Sequence, residues 1–243
     1  MNYCVNICYK GTDFCGYQLQ PKGRTVAGEI RSALTELFGS YTDLAGCSRT
    51  DSGVHANDYC FSFKAEKTLP PDTVVKALNN KLPYDVRVKS CRYADDDFHA
   101  RYSVKAKEYL YVIYTGETAS PFYAEYSHHY PRPLDLERMN AAAEKFVGTH
   151  DFSAFKAAGS KDVDPVRTIY SASFERKGDV VEFRIRGDGF LYKMVRLTVG
   201  CLLKVAEGKI SPEDIDTMLF TGKNILPYTV EAKGLFLNKV LYE

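Results

Sequence analysis

A chain of 243 residues with a formal net charge of +1 is long enough to bury a sizeable core without disulfides or a structural metal. Apolar residues make up 45% and charged ones 26%, which excludes a disordered or fibrous chain, and no apolar run approaches the length of a bilayer span. The balance of 32 basic against 31 acidic residues argues weakly against a nucleic-acid partner, although a neutral total can hide one basic face.

Residues 2–9 alternate and end at Lys10-Gly11, which predicts a strand and a turn. Thr25 is placed to cap a helix whose apolar face is Ile30, Ala33, Leu34, Leu37 and Phe38, closed by Gly39. A strand is expected over 57–64, a helix from Pro70-Pro71-Asp72 to about Asn80, and a strand from Val86 to Tyr93. The second half opens with a Tyr-rich strand, Val104 to Tyr114. Asp135 then caps a helix bearing Leu136, Met139, Ala143 and Phe146 and closed by Gly148. Strands follow at 167–176 and 180–186, with Val181, Phe183 and Ile185 on one face of the latter. An apolar helix is expected from Phe190 to Ala206, a short one from Ser211-Pro212-Glu213, and a closing strand over 235–242. Several strands follow one another without an intervening helix. The pattern therefore indicates an α+β fold with a largely antiparallel or mixed sheet, and any boundary near 100–104.

The seven cysteines are scattered, odd in number and never paired as C-x-x-C. They read as reduced thiols of a cytosolic protein, and with no histidine in an H-E-x-x-H pattern or beside a Cys pair no metal site is expected. The N-terminus lacks a secretory layout.

One segment stands out: Gly46-Cys47-Ser48-Arg49-Thr50-Asp51-Ser52-Gly53-Val54-His55-Ala56. It lies between two expected strands and places Arg49, Asp51 and His55 within seven residues, with glycines that admit close backbone approach. By residue type alone, a solvated turn with Asp51 or Thr50 bonded to its own backbone accounts for it somewhat better than a site does. Arg196 is the second candidate, an arginine inside an otherwise apolar helix, where burial calls for an anion. It could instead extend to the surface or brace another acid. Lys105, Lys107, Tyr109, Tyr111 and Ile113 share one strand face, and the two lysines suggest that this face is wet.

The segment around Asp51 resembles the signature of the TruA family of tRNA pseudouridine synthases. Asp13-Phe14-Cys15-Gly16-Tyr17-Gln18, Asp97-Phe98-His99-Ala100-Arg101-Tyr102-Ser103, Lys107-Glu108-Tyr109-Leu110-Tyr111, Gly148-Thr149-His150-Asp151-Phe152 and Phe190 to Arg196 with Gly200 resemble further blocks of that family, in the same order. Ser48 and Ser52 depart from the Gly and Ala common there, and Tyr17 from the more frequent Trp.

The resemblance implies a cofactor-free cytoplasmic isomerase, acting as a homodimer on the tRNA anticodon stem-loop at positions 38, 39 and 40. It implies two related RNA-recognition or ferredoxin-like halves, 1–103 and 104–243, that share a mixed central sheet with helices on one side and a cleft between them. It assigns Asp51, Tyr109 and Arg196 to catalysis. Arg49, Thr50, Gly53, His55, Tyr109 and Lys193 are expected to bind substrate, with His55 bracing the loop. The rival expectation is a non-catalytic tRNA-binding module of the same fold.

Overall fold

The computed structural model describes residues 1–159 and 164–242. In chain order its first elements are β1 (Asn2–Tyr9), α1 (Val26–Phe38), β2 (Thr42–Gly46), β3 (His55–Lys64), α2 (Pro71–Lys81) and β4 (Val86–Ala94). They are followed by β5 (Ala106–Tyr114), β6 (His128–His129), α3 (Leu136–Ala143), β7 (Gly148–Asp151), β8 (Val166–Lys177), β9 (Val180–Gly187), α4 (Met194–Ala206), α5 (Pro212–Thr221) and β10 (Leu235–Leu241). The chain divides into two compact units, Met1–Lys105 with Phe236–Glu243, and Ala106–Leu235. The α+β class and the mixed, largely antiparallel sheet are those the sequence pattern indicates.

In the first unit β1 lies between β4 and β3, antiparallel to both. β3 also pairs with β2, and its first residues, His55 and Ala56, pair in parallel with Phe236 and Leu237 of β10. The alternation of β1 sends Tyr3, Val5 and Ile7 into the core, which also takes Phe61 and Phe63 from β3. Ile30, Leu34 and Phe38 of α1 and Val74 and Leu78 of α2 are buried as well. Tyr3 stacks on Phe63 at 4.9 Å and Phe38 meets the same ring edge-on at 5.2 Å. Truncating Phe63 to Ala would cost about 3–5 kcal/mol, because such a cluster cannot collapse around the void. Helix α1 begins and ends where its caps dictate: Thr25 accepts the Gly28 N–H, and Gly39 leaves the helix at φ +76°.

The second unit is an antiparallel run, β5-β9-β8-β7, with the two-residue β6 parallel to the end of β5. Val181, Phe183 and Ile185 are buried as their alternation predicts, and Phe174 packs on Phe183 at 4.6 Å. Helix α5 carries a full capping box, Ser211 with Asp214.

Three expectations are corrected. The helix after Asp135 ends at Ala143, and a 3-10 turn over Glu144–Phe146 leads through Val147 to β7. Helix α4 starts at Met194, not Phe190, because Lys193 adopts a left-handed conformation at φ 58°. The β5 face is buried at Tyr109, Tyr111 and Ile113 and is wet only at its start, where Lys105 is exposed and Lys107 half-buried. No helix among the described residues is long and apolar enough to cross a membrane.

Candidate active site

Residues 47–54 join β2 to β3, and the first unit ties this loop down from three sides. At its start the hydroxyl of Tyr59 donates to the Ser48 carbonyl at 2.5 Å. In the middle, the Thr50 side chain is hydrogen-bonded to the Tyr9 hydroxyl at 2.8 Å and the Thr50 carbonyl accepts the Tyr17 N–H at 3.2 Å. At its end the Gly53 N–H and the Ser52 hydroxyl both donate to the Phe14 carbonyl, and Gly53 turns the chain at φ +77°. Ser52 thus adds a tie that the alanine common in the resembling family lacks. Ser48 has no positive φ, so the loop does not need glycine there.

The segment that grips the loop is itself anchored. Arg24 lies over the Phe14 ring at 4.2 Å and holds the carboxylate of Asp85 with two bonds, of 2.6 and 2.9 Å. Its pKa is raised, first by that pairing and then by Glu29, against the opposing effect of desolvation. Gly16, at φ +95°, lies so close to the loop that a Cβ there would stand 2.6 Å from the Thr50 carbonyl oxygen. His55 is 1% exposed; its Nδ1 accepts the Gly11 N–H at 3.0 Å and its ring stacks on Phe236 at 4.7 Å. A neutral His55 therefore carries its proton on Nε2. Within this frame Asp51 is half-buried and Arg49 exposed, whereas Thr50 and His55 are buried and direct their polar atoms at the loop's own supports. A carboxylate held on so constrained a turn is placed rather than mobile, which is what acid–base or nucleophilic work asks of it.

The remaining candidates belong to the second unit. Tyr109 is buried on β5 opposite Ile185, with its ring edge-on to Phe190 at 4.9 Å. Arg196 is half-buried in the first turn of α4, and its Nε donates to the Val230 carbonyl at 2.8 Å. Lys193 caps that helix in its left-handed conformation, with its ammonium 5.0 Å from the Tyr192 ring. Arg184 is paired with Glu182 at 2.6 Å and Glu108 at 3.7 Å, while Arg186 is exposed. No group of three His, Cys, Asp or Glu side chains among the described residues is arranged to hold a metal ion.

Sequence reasoning did not find the supports: Tyr9, Phe14, the Arg24–Asp85 pair, or the Tyr228–Glu231 segment beside Arg196. Gly11 and Gly16 were the available signal, since two glycines five residues apart mark a place where backbone meets backbone.

The family described as tRNA pseudouridine synthase matches this chain at residues 7–103 and 142–243. The first stretch includes Arg49, Thr50, Asp51, Gly53 and His55, the second Lys193 and Arg196, while Tyr109 lies outside both. Among curated proteins, the tRNA pseudouridine synthase A of Latilactobacillus sakei subsp. sakei is 42% identical, over 99% of this chain and 98% of its own. That of Acetivibrio thermocellus is 43% identical over 99% of both chains, and that of Bacillus pumilus 40% over the whole of both. Among solved structures, a chain of the crystal structure of a Cbf5-Nop10-Gar1 complex aligns over 97% of this chain and 48% of its own. At a TM-score of 0.39 and 10% identity, that likeness is too distant to bear on function.

Proposed function

Because this chain belongs to the tRNA pseudouridine synthase family and is an isomerase acting on tRNA, we propose that it converts uridine to pseudouridine in the anticodon stem-loop, at positions 38, 39 and 40, with Asp51 as the carboxylate that carries the reaction. The observation that supports this reading most is the Asp51 loop: its backbone and side chains are tied to Tyr9, Phe14, Tyr17 and Tyr59, and a half-buried carboxylate stands at its turn.

The reaction breaks the N1–C1′ bond of uridine, turns the base, forms a C5–C1′ bond, releases the C5 proton and returns one to N1. It involves no net oxidation and no net consumption of water. Asp51 acts at the sugar, as nucleophile or as base. A carboxyl withdrawn from water resists ionisation, and a cation offsets that penalty. Arg196 is the cation proposed for it. Tyr109 is proposed to stack on the base or to assist departure of the C5 proton. Arg49, exposed beside Asp51, is suited to the space left by a nucleotide turned out of its stack, as access to a stacked base requires. Lys193 is proposed as a phosphate contact, and Thr50, Gly53 and His55 serve substrate binding by holding the loop.

The test is tritium release from a tRNA transcript labelled at C5 of uridine, with no added cofactor. Release that disappears when positions 38 to 40 are replaced by cytidine supports the reading. No release with tRNA still bound favours the binding module. The homodimer implied by the resemblance is tested by sedimentation of the purified protein, where a monomer at micromolar concentration contradicts it.

A further inference from the structure

Arg196 projects from a helix whose other residues are apolar except Thr198 and Lys204, and an arginine is selective only when its planar fork is oriented. The carbonyl that receives its Nε belongs to Val230, within the segment 228–234. That segment is fixed at four points inside the second unit. Gly200, one turn beyond Arg196, lacks the Cβ that would collide with the Tyr228 carbonyl. The Tyr111 hydroxyl donates to the Glu231 carbonyl at 2.8 Å. The Glu231 carboxylate meets His128 Nδ1 at 3.1 Å. At Gly234 a Cβ would stand 2.8 Å from the Tyr111 ring, so ring and segment are in direct contact.

Tyr111 is the member of this group with the firmest footing. It is fully buried on β5, opposite Phe183. Burial raises its pKa, with the positive charge of Arg196 working in the opposite direction, so at neutral pH it remains a neutral O–H donor within electrostatic reach of the guanidinium. Glu231 lies in the polyproline II region, at φ −58° and ψ 146°, where successive carbonyls are rotated by about 120° around the chain and so point in different directions. Val230 therefore turns its carbonyl to Arg196 and Glu231 turns its own to Tyr111. One hydrogen bond secures the strap and the next one orients the arginine.

Resting on the proposed role of Arg196, we propose that Tyr111 is a positioning residue for the isomerisation, which holds the Arg196 guanidinium in register through the Val230–Glu231 peptide. Tyr111 does not touch the reacting atoms; it restricts where the arginine can point.

The test is a double-mutant cycle on kcat, read by single-turnover tritium release. Tyr111→Phe keeps the ring and removes only the hydroxyl. It is expected to lower kcat about tenfold with KM within about twofold, since a displaced catalytic group costs rate more than ground-state binding. In the Arg196→Lys background the same change is expected to cost nothing further, because no oriented guanidinium remains to be lost. An equal loss in both backgrounds, or full kcat in Tyr111→Phe, would overturn the inference alone. Absence of turnover in the unsubstituted protein would refute the isomerase reading, and full activity of Arg196→Lys would refute the role of that arginine. Either of these removes the Tyr111 inference too.

Discussion

Replacing Gly16 with alanine tests whether the grip on the Asp51 loop sets the rate. Gly16 has φ +95°, a conformation that costs alanine about 1–2 kcal/mol. The new Cβ would also stand 2.6 Å from the Thr50 carbonyl oxygen, whose carbon is bonded to the Asp51 nitrogen. To regain an ordinary separation of 3.4 Å the loop must retreat by about 0.8 Å, weakening the Tyr17–Thr50 hydrogen bond by up to about 1 kcal/mol. Together these amount to about 1–3 kcal/mol, or a Tm lower by about 2–12 °C for a chain of this length. Misplacing the carboxylate by that distance is expected to lower kcat about 10- to 100-fold. The control is Gly222→Ala, at φ +69° and ψ 13°, where the nearest atom to a new Cβ is Ser153 Cβ at an ordinary 3.4 Å. It should cost about 1 kcal/mol of stability and no activity. Thermal unfolding and tritium release are measured on both. Wild-type kcat in Gly16→Ala, or equal rate losses in the two variants, would refute the claim that this contact places Asp51.

Arg196→Lys is expected to keep little activity, because a point charge does not replace an oriented fork, and near wild-type rates would show that only a positive charge is needed there. Asp85→Asn removes the buried one of the two carboxylates that hold Arg24 and leaves the guanidinium only Glu29, at 2.6 Å. With the Asp85 side chain 1% exposed and that of Arg24 35%, the loss should be about 2–3 kcal/mol in urea unfolding, and a change below about 0.5 would contradict the brace. Glu207 gives a pH test. Burial opposes its ionisation, but hydrogen bonds from Lys209, Lys204 and Tyr130 prevail and hold its pKa at about 2, below the ordinary 4.5. A carboxyl depressed in the folded state stabilises above its unfolded pKa and loses that contribution as pH falls through the folded one. Glu207→Gln should therefore be less stable than wild type at pH 7, the gap closing between about pH 4.5 and 2. A gap unchanged at the acid end would contradict the sign.

Elements with local determinants were legible in the sequence. The alternation of β1 and β9 and the Thr25 and Gly39 caps of α1 depend on residues a few positions apart. β6 and β7 were not, since two to four residues carry no readable period and their pairing is decided by distant partners. The start of α4 was misplaced because Phe190, Leu191 and Met194 continue the apolar run. The turn is set instead by bonds such as Ala157 N–H to the Tyr192 carbonyl. The buried face of Tyr109 was misjudged because Lys105 and Lys107 lie at the β5 end, short of the core. At the site, the Asp51 segment was visible as a motif. Its supports were not, because the Tyr9–Thr50 and Arg24–Asp85 bonds span 41 and 61 residues.

The central claim is that Asp51 carries the isomerisation, and its most direct test pairs two readings on Asp51→Ala: single-turnover pseudouridine formation and tRNA affinity by filter binding. The expected result is no product with affinity within about tenfold of wild type, since one loop side chain rarely dominates a phosphate-driven interface. Product formed at a rate near that of the unsubstituted protein would contradict the account.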